Sequence, residues 1–183
     1  MTTILIPLAT GFEEIEAVSL IDILRRAKIN VITASLNDLD VTGANNITIK
    51  ADRYIQTVVS EEIDMILLPG GWGGTNILAE DNCVQDLIKD MYKKNKTIGA
   101  ICAAPFALDK AGVLKGKFTC YPSVQKEISN KNYIDNIKVV EDNNIITSQG
   151  PATAMCMGLY LVKKFVGVDI YNQVKSGILA DFC

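Results

Sequence analysis

Not one histidine occurs among the 183 residues. That absence excludes Ser-His-Asp and Cys-His-Asp triads within this chain, because nothing here supplies an imidazole base. Histidine-rich metal sites are excluded with them. A basic excess is also missing: 18 Lys and Arg stand against 21 Asp and Glu, a net charge of -3. Nucleic-acid binding calls for a clustered basic surface, so no nucleic-acid partner is expected. The pairs Lys93-Lys94 and Lys163-Lys164 fall late on expected helices, where they complement the helix dipole. No uninterrupted apolar run approaches the roughly 18 residues of a membrane helix, so no membrane partner is expected. The apolar start, Thr3–Leu8, lacks a charged leader region and runs into Glu13 and Glu14. It reads as a buried strand and not as a signal peptide, and the cytoplasm is the default expectation. The five cysteines, at 83, 102, 120, 156 and 183, lack the close spacing of a zinc knuckle or a redox pair. Free thiols are therefore expected. No linker, low-complexity tract or repeat divides the chain.

What is present suits one domain over residues 1–183, with 49% apolar residues to fill a core. Thr3–Leu8 reads as a strand. A helix follows, with Ile15, Val18, Ile21, Ile23, Leu24 and Ala27 broadly at helical spacing. Asn30–Ser35 reads as a second strand, completing a βαβ unit with a right-handed crossover. Asn46–Ala51 alternates and suits an added strand. Ile63–Leu68 and Thr97–Ile101 read as buried strands, Cys83–Lys94 and Ala104–Lys110 as helices. Lys138–Val140 and Ile145–Thr147 flank Asp142-Asn143-Asn144 as a hairpin. Ala152–Val166 is a long apolar helix, and a last helix begins near Asp169. Strands alternating with helices mean a doubly wound α/β sheet with helices on both faces.

Ligands in such sheets bind outside the carboxyl ends of the strands. Three segments converge there: Gly11–Glu16, Pro69–Gly74 and Cys102–Pro105. In Ile98-Gly99-Ala100-Ile101-Cys102-Ala103-Ala104-Pro105 a thiol stands at a strand-to-helix corner among small residues. Pro105 suits the first helical turn. Unpaired N–H groups and the helix dipole favour the thiolate there, so a depressed pKa is expected. The alternative is a small buried residue at a strand end. Glu16, between Ile15 and Ala17, is a candidate buried carboxyl able to hold or move a proton. Dipole complementation is the other reading of this acidic turn, and the preferred one for Glu13. Gly70 and Gly71 allow backbone N–H groups to approach a ligand, or simply make a tight loop. Trp72 either walls the pocket or packs.

These segments, with Thr147-Ser148-Gln149-Gly150-Pro151, resemble the ThiJ/PfpI superfamily, and within it the DJ-one-like branch, over almost the whole chain. The resemblance implies a flavodoxin-like, doubly wound three-layer sandwich with a mostly parallel sheet and a nucleophile-elbow cysteine, in a homodimer. It implies Cys102 as the reactive cysteine, Glu16 as its carboxylic partner, and Gly70, Gly71 and Ala103 as backbone donors. Tyr121, Trp72, Gln149, Gly150 and Pro151 complete the expected pocket. The implied activity is cofactor-independent and metal-free glyoxalase or deglycase chemistry on methylglyoxal, other small aldehydes or glycated adducts. The alternative is an oxidative-stress sensor or redox-regulated chaperone acting through a Cys102 sulfinic acid. A thiamine-biosynthesis role ranks below both. So does peptidase activity, because Tyr121 stands where several relatives carry the histidine that proteolytic members use. Gln149 stands where some carry arginine, implying weaker anion affinity. Cys120 is expected near the pocket, either resolving an oxidised Cys102 or, the preferred reading, inert.

Overall fold

Thr3–Leu8 forms strand β1 and Glu14–Arg26 helix α1 in the computed structural model, which describes residues 1–183. Strands β2 (Asn30–Ser35), β3 (Asp40–Thr42), β4 (Thr48–Lys50), β5 (Arg53–Tyr54) and β6 (Met65–Leu68) follow. Helices α2 (Trp72–Glu80) and α3 (Asn82–Lys93) lead to strand β7 (Thr97–Ile101) and helix α4 (Pro105–Lys110). The hairpin β8 (Val139–Asp142) and β9 (Ile145–Ser148) precedes α5 (Ala154–Val166) and α6 (Val168–Gly177).

Seven strands form one sheet in the order β5-β2-β1-β6-β7-β9-β8. All neighbours run parallel except β8, which is antiparallel to β9. The five central strands thus follow the flavodoxin-like order, whose direction of winding reverses between β1 and β6. Strand side chains alternate between faces, so the sheet has two cores. Ile4, Ile6 and Leu8 pack with α1 and α5, whereas Leu5, Ile66 and Ile98 pack with α3 and α4. Cys102 touches both cores, because it stands where β7 leaves the sheet.

Four sequence expectations need correction. The buried face of α1 carries Glu16, Ala17, Leu20, Ile23 and Leu24, whereas Ile15 and Val18 face outward. Apolar spacing alone could not separate the two stripes. The Asn46–Ala51 segment does not join the main sheet: β4 pairs antiparallel with β3 as a separate ribbon. Helix α2 was not foreseen, since Gly73 and Gly74 carry low helix propensity. They serve close approach instead, for a Cβ on Gly74 would lie 2.9 Å from Phe12 N. Finally, Cys156 and Cys183 are not free thiols but a disulfide, with Cα atoms 5.1 Å apart. Helix α6 folds back along α5 and brings them together, across a separation of 27 residues that carries no spacing signature. No helix is long and apolar enough to cross a membrane.

Candidate active site

Three loops meet at the carboxyl ends of β1, β6 and β7. The Glu13 N–H donates to the Gly70 carbonyl at 2.9 Å, joining the first loop to the second. Gly71 has φ +84°, and a Cβ there would lie 2.4 Å from the Gly11 carbonyl oxygen. Only glycine satisfies both the conformation and the clearance. With the loops so close, the first turn of α1 turns Glu16 inward, where it is fully buried.

Cys102 follows β7 directly and adopts φ +63°. A non-glycine residue in this region carries strain of about 1–3 kcal/mol and persists only when its surroundings over-determine it. Here they do. The Cys102 N–H donates to the Ser148 carbonyl at 3.0 Å, and its own carbonyl accepts the Tyr121 N–H at 2.9 Å. Ser148 is fixed in turn by hydroxyl bonds to the Lys138 carbonyl (2.6 Å) and Thr153 (2.7 Å). The corner aims the half-buried thiol outward, into the space among the three loops.

Gly70 organises the pair beneath. Its N–H donates to Glu16 Oε2 at 2.7 Å. A Cβ on Gly70 would lie 2.6 Å from Cys102 Cβ and 2.7 Å from that oxygen. Gly70 therefore holds Glu16 against Cys102 and is not a donor to the sulfur, in contrast to expectation. The N–H groups of Gly71 and Ala103 are the ones directed at Cys102. Glu16 Oε1 has no hydrogen-bond partner of its own. Burial pushes the Glu16 carboxyl up to about 7, with the Glu13 charge adding a smaller push and the Gly70 and Cys102 hydrogen bonds opposing. The Cys102 thiol is likewise pushed up, first by burial, then by the charge and hydrogen bond of Glu16, against the two N–H donors. Burial and Glu16 thus oppose the thiolate that the sequence reading expects at this corner. Helix α4 spans six residues and starts at Pro105, so its dipole does not offset a buried carboxylate.

Above the pair opens a cavity of ≈ 320 Å³. Cys102, Ala103, Gly71, Trp72, Tyr121 and Pro151 all stand on its wall. Trp72 packs edge-on to Phe106 at 5.6 Å, leaving its other side exposed. Gly150 lies under the Tyr121 ring, 3.2 Å from where its Cβ would be. Gln149 is half-buried behind this wall and does not line the cavity. Sequence reasoning missed Glu13, Ser123 and Val124, which also line it. Glu13 was legible, since positions three apart share a helix face and Glu16 was already a candidate. Ser123, at φ +92°, gave no signal. Cys120 is buried beside the site, and burial pushes its thiol up to about 12. No three Cys, Asp or Glu side chains converge on a set able to hold a metal ion.

Comparison with known proteins places these features in context. The DJ-1/PfpI family model matches residues 2–164. Protein dj-1beta of Drosophila melanogaster is 39% identical over 181 residues, covering 97% of each chain. Its crystal structure superposes with a TM-score of 0.93 over 97% of both chains. A Schizosaccharomyces pombe protein named glutathione-independent glyoxalase DJ-1 is 34% identical, over 97% of this chain and 98% of its own. Oxidized Toxoplasma gondii DJ-1 is 32% identical, with a TM-score of 0.93 over 98% of both chains.

Proposed function

Because this chain belongs to the DJ-1/PfpI family, we propose that it performs glyoxalase or deglycase chemistry on methylglyoxal or its adducts without a cofactor. One observation carries the reading: a strained, half-buried thiol faces an open cavity, with a carboxyl poised near neutrality directly behind it. A general base works best with a pKa near the operating pH. The Glu16 carboxylate takes the thiol proton as Cys102 Sγ bonds to the aldehyde carbon. The N–H groups of Gly71 and Ala103 stabilise the oxyanion that forms. Glu16 returns that proton to the oxyanion and, again a carboxylate, carries the hydrogen of the former aldehyde carbon to the neighbouring carbonyl carbon as a proton, while the hydroxyl proton passes to that carbon's oxygen, leaving a lactyl thioester on Cys102. Water releases lactate and restores the thiol. The sum is methylglyoxal plus water giving lactate, which needs no external electron acceptor. Lactate formation by wild type and its loss in Cys102→Ser test the reading.

A second reading is favoured by the same donors and by the similarity to a DJ-1 structure described as oxidized. Peroxide takes Cys102 to the sulfinate, whose oxygens accept from Gly71, Ala103 and a protonated Glu16. A homodimer belongs to both proposals. Ile15 (57% exposed) and Val18 (47%) share the outer face of α1, and the exposed Ile47 (56%) is tied to the start of α1 by its N–H bond to the Glu14 carboxylate. Exposed apolar side chains grouped in this way fit a protein interface.

A further inference from the structure

A second cavity, of ≈ 440 Å³, lies apart from Cys102, and the Cys156–Cys183 disulfide forms part of its wall. Lys138 and Lys163 also line it, and no acidic side chain does. Lys163 has no carboxylate partner, and its Nζ stands 5.7 Å from the Tyr171 ring centroid. The Lys138 ammonium donates to the Phe182 carbonyl, next to Cys183. The Glu141 carboxylate is engaged by Lys164 and the Tyr160 hydroxyl and does not line the cavity. The charged side chains on the cavity wall are therefore both cationic, with a disulfide at its edge. Cys156 is almost buried on α5, whereas Cys183 is half-exposed. An incoming nucleophile thus meets the Cys183 sulfur first.

We infer that this cavity is a thiol-exchange site that takes a small carboxylate-bearing thiol and forms a mixed disulfide on Cys183. The incoming thiolate bonds to Cys183 Sγ as the Cys156–Cys183 bond breaks. The bonding pair departs with Cys156 Sγ, which then takes a proton from water. One disulfide is consumed and one is formed, so no other oxidant or reductant enters. The lysines act twice: they attract the carboxylate of the thiol, and they favour the thiolate that leaves, since nearby cations lower a thiol pKa. Exchange also unties Cys183 from α5, leaving its N–H bond to the Ala180 carbonyl and the Lys138 contact to Phe182. In cells that keep thiols reduced, disulfides are mostly transient redox elements, which matches this exchange.

The test uses three thiols of similar size, mercaptopropionate, mercaptoethanol and cysteamine, at equal thiolate concentration and low salt. Peptide mass mapping follows the adduct on Cys183 in the disulfide-bonded protein. The anionic thiol should react at least about threefold faster than the cationic one, and the gap should close in salt, which screens exposed charges. It should also close in Lys138→Gln/Lys163→Gln, or in Lys163→Gln alone if the double variant does not fold. A disulfide that resists all three thiols, adducts confined to Cys83 or Cys102, or a gap unchanged in the folded lysine variants would overturn the assignment.

Discussion

The Glu16 carboxylate keeps the proton on Cys102. Beyond burial, its charge and its hydrogen bond are what push the thiol up, and the thiol in return partly relieves the buried carboxylate. In the proposed mechanism the thiolate therefore forms as its proton passes to Glu16.

The first consequence is a split between acidity and turnover. Glu16→Gln removes the charge, so Cys102 should titrate at lower pH than in wild type, read from ultraviolet thiolate absorbance. Methylglyoxal turnover should nonetheless fall by about 10²–10⁴, the usual contribution of a general acid–base. In wild type, kcat/KM should rise with pH through about 7, as the base form of Glu16 appears. A variant with both a lower thiol pKa and full activity would remove Glu16 from the mechanism.

Stability should carry the same signature with the opposite benefit. A carboxyl raised from 4.5 to about 7 binds more protons folded than unfolded between those values. Wild-type stability therefore declines as pH rises through that window, by about 3 kcal/mol, and stays lower above it. Glu16→Gln keeps an acceptor for the Gly70 N–H and never ionises. Urea titrations at pH 5 and pH 8 should find the variant more stable than wild type at pH 8, and the advantage small at pH 5.

Oxidation probes the protonated form of the partner. A carboxylic acid donates a charge-assisted hydrogen bond to a sulfinate oxygen, roughly twice as strong as a neutral one. The amide of Glu16→Gln donates more weakly. Glu16→Leu donates nothing and leaves the Gly70 N–H unpaired, a loss of roughly 1–3 kcal/mol. Under fixed peroxide, the share of oxidised Cys102 held as sulfinate and not carried on to sulfonate should be largest in wild type, smaller in Gln and smallest in Leu, by intact-protein mass spectrometry. An equal share in Leu would assign the stabilisation to Gly71 and Ala103 alone.

Assembly is tested on the outer face of α1. Wild type should sediment as a dimer, and Ile15→Asp/Val18→Asp as a 19.9 kDa monomer with unchanged far-ultraviolet dichroism. A monomeric wild type at micromolar concentration would set the homodimer aside.

Strands β1, β2, β6, β7 and β9 were readable because each is a short run rich in β-branched or apolar residues, a local signal that β3 (Asp40–Thr42) and β5 (Arg53–Tyr54) lack. Cys102 was readable for a similar reason: small residues before it and Pro105 after it mark a sharp corner. What escaped is what depends on distant partners. The raised Cys102 pKa comes from burial and then from Glu16, which no local pattern brings near. The bond between Cys156 and Cys183 depends on how α6 returns along α5. Ile15 and Val18 read as core because helical spacing reports that a face is apolar, not what covers it. Glu13 is the instructive miss, because its spacing from Glu16 contained the answer and the dipole explanation stopped the search.

The β3–β4 ribbon stands outside the main sheet and is clasped by one carboxylate. Glu14 accepts the Asn45 N–H (2.6 Å), the Asn45 side-chain amide (3.0 Å) and the Ile47 N–H (3.3 Å). Burial opposes its charge, yet these hydrogen bonds and its own N–H win, and its pKa is lowered. The clasp therefore acts at full strength above the unfolded carboxyl pKa and is lost as pH falls through the lowered folded value. Protonation of Glu14 should release the ribbon as a local unit while the doubly wound sheet stays closed. Ile47 rides on that ribbon, so acid would free this exposed apolar side chain before it unfolds the protein. A single side chain thereby ties the placing of an exposed apolar residue to the proton concentration.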